Sequence, residues 1–326
     1  MIVLSERDVA ALLPIGTAIA LVERVMIAVS RGGATLPLRT IMDVGGGNRM
    51  GMMPGALDEP ACYGIKLVSL FPDNPKSGRS SHQGAMVLFE PRHGAAVGMM
   101  NAGLLTALRT AAASAVATRA LARPQASRLA IIGTGEQARH HLDAMLAVRP
   151  VTELSVAGRR AEAAAAFAAS AAERHPGLQA TAGTDVAAAV READIVCAVT
   201  AAAEPVLCGD WIAPGTHVNA VGASIPAKRE IDEALVVKAR LFADYRPSLF
   251  AQAGEVIGAL ERGAIGKDHV AGEIGEVLAG QVAGRRSETD ITLYRSLGIA
   301  AQDLACAAHC LEAARARGLG IAAPLD

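Results

Sequence analysis

Apolar residues recur at helical spacing up to Val29, behind Ser5 and Asp8, which read as an N-cap with an acid in the first turn. Pro14 marks a break before the longer helix, and Gly32 and Gly33 end it. From residue 36 to about residue 100 the texture changes. The β-prone runs LPLRTIMDV (36–44), CYGIKLVSLF (62–71), GAMVLFEP (84–91) and AAVGMM (95–100) are separated by clusters of Gly, Pro, Asn and Asp. This predicts a mostly antiparallel sheet of hairpins. Residues 104–121 form an Ala-rich helix that carries Arg109 and Arg119, and Pro124 stops it. Short β-branched runs then alternate with helical stretches: RLAIIG (128–133), ELSVAGR (153–159), ADIVCAVT (193–200), THVNAVG (216–222) and ARLFAD (239–244). That alternation is the mark of βαβ units around a parallel sheet. From Ser248 the chain reads as helical, with loops at Gly254, Gly272, Gly284 and Gly298, and residues 303–317 form a final amphipathic helix.

Composition narrows the class. At 326 residues, two domains are expected. Hydrophobic residues are 52% but aromatics only 3%, so Ala, Val, Leu and Ile must fill the core. Charged residues are 19%, against about 25% in an ordinary soluble domain, which excludes a largely disordered chain. Lys plus Arg is 31 and Asp plus Glu is 32, for a net charge of −1. That balance argues against nucleic acid as a partner, because phosphate neutralisation needs a basic surface. The mean hydropathy of +0.31 invites a membrane reading. A spanning helix needs about 20 consecutive apolar residues. Residues 17–30 are interrupted by Glu23 and Arg24, and the Ala-rich run from Ala161 lies between Arg160 and Glu173. The opening MIVLSERD lacks a basic leader, so no membrane partner and a cytoplasmic location are expected. Cys62, Cys197, Cys208, Cys306 and Cys310 read as reduced core thiols. Cys306 and Cys310 flank His309, but no fourth ligand is evident, and no metal is expected.

The motif with a defined mechanism is Gly133-Thr134-Gly135-Glu136-Gln137-Ala138, which links a strand to a helix as G-x-G-x-x-A. The first glycine allows the tight turn, the second admits a pyrophosphate, and the small third residue lets helix and strand pack. The helix N-terminus then offers free N–H groups to the phosphates. The next strand run ends Gly158-Arg159-Arg160, where an NAD-selective fold usually places an acid for the ribose hydroxyl. Guanidinium groups suit a 2′-phosphate, so NADP(H) is favoured, with NAD(H) as the alternative. Thr200 and Val221, at the ends of two later strand runs, are placed in the same cofactor site. In the first half, Arg39 and Lys66 interrupt apolar strand runs and Arg109 interrupts an Ala/Leu helix. Charges in such settings need partners, and three cations in one cleft would hold a carboxylate.

With these residues in view, the chain resembles the ornithine cyclodeaminase/mu-crystallin family over almost its full length. The resemblance is carried by Gly64-Ile-Lys66 through Pro75, by Ser81-His82-Gln83 with Val87 to Glu90, and by Thr106-Ala-Leu-Arg109-Thr110. It continues through Pro124, through Gly215 to Ser224, through Arg229-Glu230-Ile-Asp232, and along the tail from Gly284-Arg285 to Ser296-Leu-Gly298. The resemblance implies an α/β fold: a Rossmann-type dinucleotide domain at 121–299, and an α+β substrate and dimerisation domain built from 1–120 with 300–326. It also implies a homodimer. Arg39, Lys66 and Arg109 then match positions that bind an amino-acid carboxylate, Gly298 falls in the substrate site, and Ser81 and Thr110 match dinucleotide contacts.

Two departures bear on the reaction. Cyclodeaminases of this family carry an acid where this chain has Ser224. A serine without an activating partner is no comparable base at neutral pH. The sequence Ala-Val-Gly-Ala-Ser224 is similar instead to the ketimine reductase branch. The second departure, Asn101 where many relatives have Asp, bears only on a loop hydrogen bond. The expected activity is NAD(P)H-dependent reduction of a cyclic ketimine, Δ1-pyrroline-2-carboxylate or its six-membered homologue, to L-proline or L-pipecolate. Ser224 would hydrogen-bond the imine nitrogen, Lys66 and His82 are further candidate catalytic groups, and a cyclic imino acid is the small-molecule partner. The alternatives are an amino-acid dehydrogenase acting on alanine, a cyclodeaminase that tolerates Ser224, and a non-catalytic binding protein.

Overall fold

The computed structural model describes residues 1–324. Strand β1 (Ile2–Leu4) leads into a reciprocal cap: Asp8 N donates to Ser5 Oγ at 3.3 Å, and Ser5 N donates to Asp8 Oδ2 at 2.9 Å. Helix α1 (Glu6–Leu12) follows, and beyond Pro14 helix α2 (Ile15–Ser30) leaves at 79°. The chain then builds β2 (Ala34–Thr35), β3 (Thr40–Gly45), β4 (Asn48–Leu57), β5 (Cys62–Leu70), β6 (His82–Phe89) and β7 (Ala96–Asn101). Helix α3 (Ala102–Leu121) is capped by Asn101, whose Oδ1 accepts from Leu104 N at 3.0 Å. An aspartate would accept that bond equally well, so Asn101 preserves the cap.

The second half runs β8 (Arg128–Ile132), α4 (Glu136–Val148), β9 (Glu153–Ala157), α5 (Ala161–Arg174), β10 (Gln179–Gly183), α6 (Val186–Val190), β11 (Ile195–Ala198) and β12 (His217–Ala220). It continues through α7 (Glu233–Lys238), β13 (Arg240–Ala243), α8 (Arg246–Gln252), α9 (Gly254–Glu261), β14 (Val270–Glu273), α10 (Ile274–Leu278) and β15 (Thr292–Arg295). Helix α11 (Ala300–Arg317) and β16 (Ile321–Ala322) return to the first sheet. The chain divides into two units, Met1–Ala112 with Gly298–Asp326, and Ala113–Leu297.

In the first unit the sheet order is β16-β1-β7-β6-β5-β4-β2, with β3 also on β4. The pairings among β2 to β7 are antiparallel, as the hairpin pattern requires. Helix α11 packs on β4, β5 and β6 and against α2. Gly55 and Gly64 permit the approach: a Cβ on Gly55 would lie 3.0 Å from Ala300 Cβ, and one on Gly64 would lie 3.2 Å from a Leu304 methyl. In the second unit all eight strands are parallel, in the order β10-β9-β8-β11-β12-β15-β13-β14. The order reverses between β8 and β11, the switch point at which doubly wound sheets take ligands.

Two expectations are corrected, and one strand was not anticipated. The tail is not helical apart from loops: β14 and β15 are strands, and β15 lies fully buried between β12 and β13. Arg39 stands just ahead of β3 and not inside a strand. Strand β4, a central member of the first sheet, was hidden by Gly51, Pro54 and Gly55, residues that ordinarily weaken a strand. Among the described residues no single helix is long and apolar enough to cross a membrane.

Candidate active site

In the first unit, β5 and α3 bring two of the predicted cations to one acid on α11. Lys66 is 1% exposed, Arg109 4% and Asp303 0%. Lys66 Nζ donates to Asp303 Oδ1 at 3.0 Å and Oδ2 at 2.9 Å, and Arg109 Nε donates to Oδ1 at 2.9 Å. Arg109 Nη1 donates to Gln302 Oε1 at 3.0 Å. Gly298 has φ +76°, and a Cβ there would collide with the Arg109 guanidinium. Its carbonyl accepts from Arg39 Nη2 at 2.6 Å, which fixes the third cation. Burial and the charge of Arg109 pull Lys66 down to about 7, with Arg39 acting the same way and Asp303 opposing. Burial pushes Asp303 up, but Arg109 and Lys66 together hold it below the usual carboxylate value. Lys66, Arg109 and Arg39 thus gather at one end of α11, an arrangement of cations that suits a carboxylate ligand. The sequence reading found the three cations and missed Asp303 and Gln302. The signal was present, since buried cations need a counter-charge and Asp303 sits in a run of Leu, Ala and Cys.

Ser81 and His82 precede and begin β6, where Ser81 Oγ lies 2.9 Å from His82 Nδ1, and His82 is exposed. Thr110 follows Arg109 on α3 and is 7% exposed. Cys306 and Cys310 are buried free thiols, and among the described residues no group of three or more metal-ligating side chains is assembled.

In the second unit, Gly133 has φ +113°, and a Cβ on it would lie 2.9 Å from Val199 O. Only glycine makes this turn without strain. Gly135 caps α4, and a Cβ there would meet nothing within 4 Å, so the open side faces space of the kind a phosphate fills. Thr134 lies against Gly158, Glu136 and Gln137 open α4, and Ala138 is fully buried beneath it. Arg159 and Arg160 follow β9 with exposed side chains, which take no hydrogen bond or ion pair among the described residues. The donor set and the open approach fit a dinucleotide.

Glu230 organises the loops after β11 and β12. It is 1% exposed, and its two oxygens accept from Thr200 N and, at 2.6 Å, from Gly222 N. Burial pushes this carboxyl up against those bonds. A Cβ on Gly222 would collide with Glu230 and with Thr200 O, so glycine is needed at that crossing. Val221 is tied by its N–H to Ala198 O at 3.0 Å. Ser224 is partly buried, and its hydroxyl takes no partner among the described residues. The loop leading to it is held by Arg295, which pairs with Glu255 and donates to Ala220 O at 2.9 Å and to Ala223 O. Glu230, Glu255 and Arg295 were not foreseen as site residues, although Glu230 lies within the motif 229–232.

The sequence profile of the ornithine cyclodeaminase/mu-crystallin family matches residues 1–318. The ketimine reductase mu-crystallin of Rattus norvegicus is 35% identical over 279 residues, covering 85% of this chain and 84% of that protein. The Δ1-pyrroline-2-carboxylate reductase of Thermococcus litoralis, solved in complex with NADH and L-proline, matches with a TM-score of 0.95 at 34% identity, over 99% of this chain and 100% of that one. An archaeal alanine dehydrogenase dimer with bound NAD matches with a TM-score of 0.93 at 31% identity, over 100% of this chain and 99% of that one. With the cation cluster on one sheet and the glycine turn on the other, these likenesses place the chain in the ornithine cyclodeaminase/mu-crystallin family.

Proposed function

We propose that this chain is a nicotinamide-dependent reductase of a cyclic ketimine, Δ1-pyrroline-2-carboxylate or its six-membered homologue. The observation that carries the reading is the seating of Lys66 and Arg109 on the buried Asp303, with Arg39 held at the neighbouring Gly298 carbonyl, in a chain that also has a complete dinucleotide turn. Arg39, Lys66 and Arg109 hold the substrate carboxylate, and Gly298 steadies Arg39 and leaves room for Arg109. Ser224 donates to or accepts from the imine nitrogen. His82, bonded to Ser81, stands ready to pass a proton. The backbone N–H groups of 134–137 hold the pyrophosphate, with Ser81, Thr110, Gly158, Thr200 and Val221 completing the cofactor site. When bound, the nicotinamide supplies the hydride. No strong base is required of the chain, because a protonated imine carbon is already electrophilic. Its work is to fix the carboxylate and orient the ring.

The unpartnered Arg159 and Arg160 favour NADPH over NADH. The exposed apolar side chains of Leu38, Ile41, Met42 and Val44 suit a homodimer contact on the β3 side of the first sheet, in keeping with the dimeric archaeal relative. The test follows absorbance at 340 nm with Δ1-pyrroline-2-carboxylate and either NADPH or NADH, beside ammonia release from L-ornithine with NAD+ and reduction of pyruvate with ammonia. Fast consumption with the cyclic imine alone is the expected result. Ammonia from ornithine without net reduction, or preference for pyruvate, overturns it.

A further inference from the structure

Asp303 is wholly buried, and both of its oxygens are committed to cations from two other elements. Oδ2 takes Lys66 Nζ at 2.9 Å, and Oδ1 takes Lys66 Nζ at 3.0 Å and Arg109 Nε at 2.9 Å. Gln302, its neighbour on α11, fixes Arg109 Nη1, and among the described residues Nη2 takes no hydrogen bond. The two cations are thus clamped side by side from one helix. We propose that Asp303 is the positioning residue of the anion site: from α11 it seats the Lys66 ammonium beside the Arg109 guanidinium and supplies the counter-charge that lets Lys66 hold its proton. The proposal rests on reading the cluster as a carboxylate site.

The groups that face Lys66 come from three elements. Arg109 on α3 and Arg39 ahead of β3 both disfavour its proton, as does burial, and Asp303 on α11 favours it. Cys306, one turn along α11, stays neutral because burial pushes its thiol up. Asp303 is therefore the acid that opposes two cations. Without it, Lys66 gives up its proton at a lower pH, and the site loses one of its three charges.

The experiment measures the dissociation constant of pyrrole-2-carboxylate, a planar unreactive carboxylate, from pH 5.5 to 9 by calorimetry. NADH fluorescence reports on each variant's dinucleotide unit. The unaltered protein should weaken as pH rises past a break near 7, where Lys66 sits. Asp303→Asn should move that break down by at least about one unit, so that binding is roughly fivefold weaker at pH 7 and roughly tenfold weaker at pH 8. Asp303→Glu restores the charge and should return the break. Lys66→Arg combined with Asp303→Asn should bind without a break, since arginine keeps its proton. A profile for Asp303→Asn that superimposes on the parent overturns the proposal, as does a break in Asp303→Glu that stays where Asn puts it. If the parent binds no pyrrole-2-carboxylate at any pH, the carboxylate reading falls instead.

Discussion

Replacing Lys66 by Met separates function from stability, because the two should move in opposite directions. Met fills much the same space as Lys without a charge, and Asp303 keeps its bond from Arg109 Nε. Burial, with Arg109 second, takes Lys66 from 10.5 to about 7 in the folded protein. The unfolded chain therefore binds more protons than the folded one between those two values. Stability contributed through this group rises with pH across that window, and below it the folded state carries the whole penalty. At 1.36 kcal/mol per unit the ceiling is about 5 kcal/mol. Removing one partner of a buried ion pair ordinarily costs about 3–5 kcal/mol by leaving the other charge alone, but here Asp303 retains Arg109 Nε. By the proton linkage Lys66→Met should then be more stable than the parent at pH 7, by at most about 5 kcal/mol, with the gap closing as pH rises towards 10.5. A charge-assisted hydrogen bond to the substrate carboxylate is worth about 1.5–3 kcal/mol, so KM for the imino acid should rise roughly 10–150-fold. The assay pairs urea midpoints with NADPH oxidation at 340 nm, and NADPH affinity should not change. A variant less stable than the parent, with KM unaltered, would show that Lys66 only ties α11 to the sheet.

The glycine turn offers a matched pair. Gly133→Ala forces a side chain at φ +113° against Val199 O and should cost about 1–3 kcal/mol in the urea midpoint. Gly135→Ala meets nothing in the chain, so the midpoint should hold while the dinucleotide KM rises about tenfold or more through crowding of the helix N-terminus. Arg159→Ala with Arg160→Ala should cut kcat/KM for NADPH by about 10- to 100-fold and leave NADH nearly unchanged, as expected for lost guanidinium–phosphate bonds. Equal loss with both dinucleotides would refute that assignment. Burial pulls His141 down to about 4 and His217 to about 3, so both are neutral when folded but take protons below about 6.5 when unfolded. The urea midpoint should fall from pH 7 to pH 5, and His217→Asn should flatten that slope.

Legibility followed local chemistry. The capping pair Ser5 and Asp8, the break at Pro14 and the turn at 133–138 depend on neighbours in sequence, and each stood in the sequence as it stands in the fold. Strands β4 and β15 did not. The first carries Gly55 because a helix more than 240 residues later presses on it, and the second carries Arg295, whose burial depends on Glu255. Asp303 was missed for the same reason: its partners are 237 and 194 residues away. A buried charge is legible only together with its counter-charge, and sequence proximity does not reveal that pairing.

The return of α11 to the first sheet imposes an order on biosynthesis. Residues 113–297 have all been polymerised before Gln302 and Asp303 are added, so the dinucleotide unit has its whole sequence while the unit begun at Met1 still lacks its packing helix. During that interval Lys66 and Arg109 have no acid to pair with, and the face of β4, β5 and β6 that α11 will cover is bare. A ribosome that stalls before residue 300 would release a chain with an intact glycine turn and an unfinished apolar sheet, a species suited to chaperone capture and unable to hold an anion.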